Sequence, residues 1–195
     1  SGISNGAGGL MRVDASRLQA RNSGSGSINI VSVGTNGVIL DNLGGGQAVS
    51  QGAAGGSVSI SNTQGLLTVN AAVATTNGDV LLESDKMALV GATNAGTANV
   101  TLRPVNNGTV IDLGSATNVA GGRLELSSAE LGTITAGILK LGASGYTGGI
   151  EVTDNITIGG AGAVSMINNA SITASTGKTI TTDKLNVHSY NGMVS

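Results

Sequence analysis

Residues 58–69 read VSISNTQGLLTV, and the way this stretch is parsed decides the fold. Val58-Ser59-Ile60 and Leu67-Thr68-Val69 are two triplets, apolar then polar then apolar, separated by a short polar break. Successive side chains of a strand point to opposite faces, so each triplet turns two apolar residues inward and one polar residue outward. Both triplets return along the chain at nearly one interval. Ile60, Leu82, Leu102 and Leu126 follow at steps of 22, 20 and 24, and Leu67, Leu89, Ile111, Ile134, Ile156 and Ile180 at steps of 22, 22, 23, 22 and 24. A fixed period in this range marks a solenoid, in which each repeat covers its apolar side only against its neighbours.

The same alternation recurs in Ile28-Asn29-Ile30, Val100-Thr101-Leu102, Leu124-Glu125-Leu126, Leu139-Lys140-Leu141, Ile150-Glu151-Val152 and Ile156-Thr157-Ile158. Asn36-Gly37, Asn77-Gly78, Asn107-Gly108, Gly121-Gly122, Gly148-Gly149 and Gly159-Gly160 break these strands and supply the positive φ angles of sharp corners. An antiparallel sandwich or barrel would also show frequent turns, but it does not require like strands to return at about 22 residues. The expectation is all-β: a parallel β-helix of about 22 residues per coil, a single segment over residues 1–195. About nine coils stacked at about 4.8 Å would be roughly 40 Å long. Ile28, Ile60, Leu82, Leu102, Leu126, Ile156 and Ile158 are the predicted inward stack.

Composition agrees with a narrow aliphatic core. Only 1% of the 195 residues are aromatic (Tyr146 and Tyr190), while 39% are hydrophobic and recur at regular intervals, which excludes a solvated linker. A net charge of −2 provides no basic field for nucleic acid and no polybasic membrane patch. The absence of cysteine removes disulfides and thiolate metal sites, and suits a chain that crosses an oxidising compartment unfolded. No apolar run approaches the roughly 18 residues of a membrane-spanning helix, so no membrane insertion is expected. The chain begins mid-pattern and reads as an internal piece of a longer repeat protein.

Three segments depart from the pattern. Residues 10–21 fit either a short helix or two strands, Leu10 to Val13 and Leu18 to Arg21. Ser127 to Leu131 has the helical propensity for a one-turn excursion at a corner. Residues 41–57, DNLGGGQAVSQGAAGGS, predict a long Gly-rich loop.

The residues of catalysis are sparse. His188 is the only histidine, so a histidine triad or histidine metal cluster is excluded, and it reads as an outward residue near the carboxy end. Glu83 with Asp85, and Glu151 with Asp154, are the carboxylate pairs that acid–base hydrolysis would need. Each occupies an outward slot or a strand end and predicts a solvated face. Gly159-Gly160-Ala161-Gly162 lacks the Asp of a calcium-binding nonapeptide, since Val164 stands there. The outward Thr68, Thr101, Thr135, Thr157 and Thr181 are ordinary strand formers, interrupted by Glu125, Lys140 and Glu151. No catalytic, cofactor-binding or metal-binding residue and no cofactor is assigned, and the chain is not expected to be an enzyme.

The run Val100-Thr-Leu-Arg-Pro104, Val110-Ile-Asp-Leu-Gly114, Leu124-Glu-Leu-Ser-Ser-Ala-Glu-Leu131, Ile134-Thr-Ala-Gly137 and Leu139-Lys-Leu-Gly142 resembles repeats of very large bacterial exoproteins. These are the filamentous-haemagglutinin-like passengers of two-partner secretion, and the likeness of style covers roughly residues 60–190. It implies a right-handed parallel β-helix, secretion or display at the bacterial cell surface through an outer-membrane transporter partner, and adhesion to a host or neighbouring-cell surface ligand. The expected role is a non-catalytic structural or adhesive stalk segment. The alternatives are a β-helical polysaccharide-degrading enzyme and a passive spacer.

Overall fold

A computed structural model describes residues 9–195. The chain is all-β apart from one helical turn, and every strand pairing among the described residues is parallel. The first face is one sheet of eight strands: Met11–Val13, Ile28–Ser32, Val58–Asn62, Val80–Glu83, Asn99–Arg103, Ile138–Gly142, Val164–Asn168 and Leu185–Ser189. At about 4.8 Å between strands it is about 34 Å long. The second face holds Arg17–Leu18, Gly37–Leu40, Leu66–Val69 and Met87–Leu89 in one sheet, with Val110–Leu113, Arg123–Leu126, Ile150–Val152 and Ile172–Ala174 in another. The third face holds Ala20–Asn22, Val49–Ala54, Val73–Thr76, Thr93–Asn94 and Ile134–Thr135, then the pair Ile156–Thr157 and Ile180–Thr181. Except that Val110–Leu113 and Arg123–Leu126 follow one another on the second face, the chain visits the three faces in turn and returns to the first. Their inward residues join in one apolar core, as the alternating triplets require.

The seven predicted inward residues are all buried, at 0–2% exposure. In register, Ile60 lies beside Ile30 and Leu82, and Leu82 beside Leu102. The column then continues through Leu141, and Leu126 is on the second face beside Leu113. The Leu67 series shares the core but is not one column either. Leu67 lies beside Met87, Leu89 beside Val69, Ile111 beside Leu124 and Ile150, Ile134 beside Thr93, and Ile156 beside Ile180. Alternating triplets occur on all three faces, so a step of nearly constant length can still pass from one face to another.

Partners along the first face show where the length goes. Met11 to Ile30 is a step of 19, Ile28 to Val58 one of 30, Val58 to Val80 one of 22 and Val80 to Val100 one of 20. Val100 to Leu139 is then a step of 39, Leu139 to Val164 one of 25 and Val164 to Leu185 one of 21. The two long steps are why this face has eight strands among the described residues rather than nine turns.

The first long step contains the predicted Gly-rich loop, which the structure corrects. Residues 41–48 are irregular, with Leu43 exposed, but Val49–Ala54 is a third-face strand between Ala20–Asn22 and Val73–Thr76. Ala48 and Val49 are fully buried, and the Gln51 amide donates to the carbonyls of Gly24 (3.3 Å) and Gly26 (2.6 Å). Two apolar anchors and the two hydrogen bonds donated by the Gln51 amide N–H group outweigh the glycines around them. Residues 10–21 adopt the strand alternative, as Met11–Val13, Arg17–Leu18 and Ala20–Asn22. Where corners stack, space is tight. A Cβ on Gly37, at φ +81°, would lie 2.1 Å from the Leu66 carbonyl oxygen of the next turn, so only glycine fits.

Candidate functional site

The long step from Val100 to Leu139 rearranges the outer surface of the second face. After Asn99–Arg103 the chain overshoots: Val110–Leu113 lies between Ile150–Val152, which comes later in sequence, and Arg123–Leu126. Residues 114–122 then return across the outside of the sheet to start Arg123–Leu126, which packs against Met87–Leu89. The predicted corner excursion follows as helix α1, Ser128–Leu131.

This ordering aligns three acidic residues that the sequence keeps apart. Asp112 is in register with Glu125 on one side and Glu151 on the other, all in outward slots of neighbouring strands. Like charges about 4.8 Å apart repel unless neutralised. The Arg123 guanidinium donates to Glu151 at 2.7 Å and to Asp112 at 3.1 Å, and Thr153 donates to the other Asp112 oxygen. The hydrogen bond to Glu151, with the charges of Glu151 and Asp112, holds the Arg123 pKa above its ordinary value against the opposing effect of burial.

Glu125 is different. Its slot faces outward, yet like Asp112 (6%) it is scarcely exposed, at 4%, and its partners come from residues 114–122, which pass over it. One carboxylate oxygen accepts from the Ser115 hydroxyl (2.5 Å) and Thr117 hydroxyl (2.7 Å), the other from the Val119 (2.9 Å) and Ala120 (3.0 Å) backbone N–H groups. Burial pushes its pKa up, but the four hydrogen bonds outweigh burial and bring it down to about 2. An ionised carboxylate thus organises the loop.

The carboxylate pairs expected from the sequence fall on different faces. Glu83, on the first face, accepts from Arg103 at 2.8 Å; Asp85, at the corner after it, accepts from the Asn106 backbone (2.8 Å) and side chain. Glu151 belongs to the acidic row on the second face. Asp154 accepts from Lys178 at 2.8 Å, and that bond, the Asn155 N–H and the Lys178 charge lower its pKa. His188 is exposed and stacks beside Tyr190, ring centroids 4.2 Å apart. Tyr146 is buried, its hydroxyl donating to the Pro104 carbonyl at 2.6 Å. Among the described residues no group of three or more His, Asp or Glu is placed to hold a metal ion, and no helix is long and apolar enough to cross a membrane.

Sequence reasoning noticed Glu125 and Glu151 as outward residues but missed the row. Asp112, Glu125 and Glu151 stand far apart along the chain at unequal intervals, and they become neighbours only once the register is known. The available signal was the shared form of VIDL, LEL and IEV, each with an acid between apolar residues.

Parallel stacks on three sides of one aliphatic core define a solenoid-like architecture, compatible with a parallel β-helix. No protein family matches the chain, and no curated protein or solved structure does.

Proposed function

We propose that this chain is a structural and adhesive stalk segment of a secreted or surface-displayed bacterial filamentous adhesin, without catalytic activity. In this reading it is a right-handed parallel β-helix with about 22 residues per coil in its regular part. The observation that supports it most is the uninterrupted eight-strand parallel face over a single core. Such a stack is stiff along its length, because each turn is held to the next by a ladder of backbone hydrogen bonds and an aliphatic column. The longer protein would cross the outer membrane through a transporter partner and would meet a ligand on a host or neighbouring cell.

The test is deletion of residues 9–195 from the secreted protein. Display at the surface is expected to persist while attachment to cells falls; unchanged attachment rejects the adhesive role and leaves the spacer. The acidic row beside Arg123 is the observation that favours the polysaccharide-degrading alternative. Release of reducing ends from a polysaccharide panel, abolished by Asp112→Asn, would replace the stalk reading with that one.

A further inference from the structure

The overshoot leaves a notch at the corner between the first and second faces. The residues after Arg103 climb away toward Val110–Leu113, so the start of Arg123–Leu126 is reached from the external loop instead of the corner below it. A cavity of about 250 Å³ lies there. Its walls come from the turn carrying Asn62 and Gln64, from Asp85 and Lys86 one turn on, and from Gly122 at the end of the loop. No apolar side chain other than the stems of these residues lines it.

We propose that this notch binds a neutral, hydroxyl-rich ligand, of the class of a terminal hexose of a glycan. Four observations carry this. First, the volume is large enough for one pyranose ring and too small for an extended peptide. Second, Asp85 and Lys86 face the cavity together, so their charges offset, which disfavours both phosphate or carboxylate ligands and cations. Third, the walls offer donors and acceptors in mixture. The Lys86 ammonium uses one proton on the Val119 carbonyl (3.0 Å) and the exposed Gln64 has both an amide N–H and a carbonyl, the complement that a ring of hydroxyls satisfies. Fourth, Asn62 is 1% exposed and its amide N–H groups donate to the Gly65 carbonyl and the Ser84 hydroxyl, so that wall of the notch is fixed before a ligand arrives.

The wall is also preorganised. Glu125 fixes the Val119 and Ala120 amides and Lys86 fixes the Val119 carbonyl, so the loop that ends at Gly122 is clamped from both sides before a ligand arrives. This inference rests on the adhesive reading and deepens it by naming the chemistry of what is bound.

The experiment is a titration of the whole chain, followed by NMR, with the methyl glycosides of glucose, galactose, mannose and N-acetylglucosamine. Glucuronate, glucosamine and glycerol are run in parallel. At least one neutral glycoside is expected to saturate with a Kd on the order of 1 mM, the range open to a single-ring ligand with few contacts. Gln64→Ala and Lys86→Met, both on the accessible rim, are expected to weaken it about tenfold each, as loss of one hydrogen-bonding group does, and Gln64→Ala, which leaves the Lys86 clamp on the loop intact, is expected to do so with Tm unchanged. No saturation by any neutral glycoside overturns the proposal. So does equal binding of the charged sugars or glycerol, or unaltered binding by both variants. The deletion experiment on cell attachment is independent of this titration, so the adhesive reading and the site fail separately.

Discussion

Glu125 shows how a single side chain can hold an irregular segment. Glu125→Gln replaces one acceptor oxygen by an N–H pointing at other donors, and is expected to cost about 1–3 kcal/mol. The carboxylate's depressed pKa gives this a pH signature. Its stabilising effect is complete above the ordinary value of 4.5 and is lost as pH falls through the folded value of about 2. Thermal melts between pH 5 and 2 should therefore bring wild type and Glu125→Gln together, and a difference that stays constant over that range refutes the assignment. Leu102, fully buried, tests the core in the same way. Leu102→Ala should cost about 2–5 kcal/mol, and Leu102→Asp should abolish cooperative unfolding by burying an unpaired charge. Alternation in the sequence revealed that Leu102 faces inward. It said equally clearly that Glu125 faces outward, and could not say that another part of the chain would cover it.

Helix α1 was legible because its signals are local. Ser127 is an N-cap whose hydroxyl accepts from the Glu130 N–H, while the Glu130 carboxylate accepts from the Ser127 N–H (2.9 Å) and hydroxyl (2.7 Å). The other Glu130 oxygen accepts from the Leu89 N–H at 3.1 Å, a long-range contact that nothing in SSAEL announces. The cap therefore also finishes the edge of the Met87–Leu89 strand. Ser127→Ala is expected to cost about 1 kcal/mol, and Glu130→Ala more, since it orphans a strand amide too; denaturant unfolding of the two variants measures the gap. The strand Val49–Ala54 was missed for the opposite reason. Its glycines and polar residues suggest a loop locally, and only its place between two other strands shows Ala48, Val49 and Gln51 to be anchors.

Periodicity disclosed the parallel stack and its single core, but not which face each strand joins. That depends on the lengths of the intervening excursions, and the long step from Val100 to Leu139 reassigns every apolar triplet near it. The outermost first-face strand, Leu185–Ser189, has one unpaired edge, and beside it an apolar cavity of about 190 Å³ is lined by Val152, Met166, Ile172, Ile180 and Val187. An open strand edge next to apolar surface templates pairing with another chain. The isolated chain is expected to self-associate, with light scattering showing a mass that rises with concentration; monodispersity equal to that of a longer piece contradicts this. The unequal turns have a mechanical consequence as well. Pulled apart from its ends, such a molecule would peel open one turn at a time, each releasing slack in proportion to the chain it stores. The short turns, such as Val58 to Val80, would each yield about 70 Å, and the two long ones, Ile28 to Val58 and Val100 to Leu139, about 100 and about 130 Å, so the record of its unravelling would carry two conspicuously long strides.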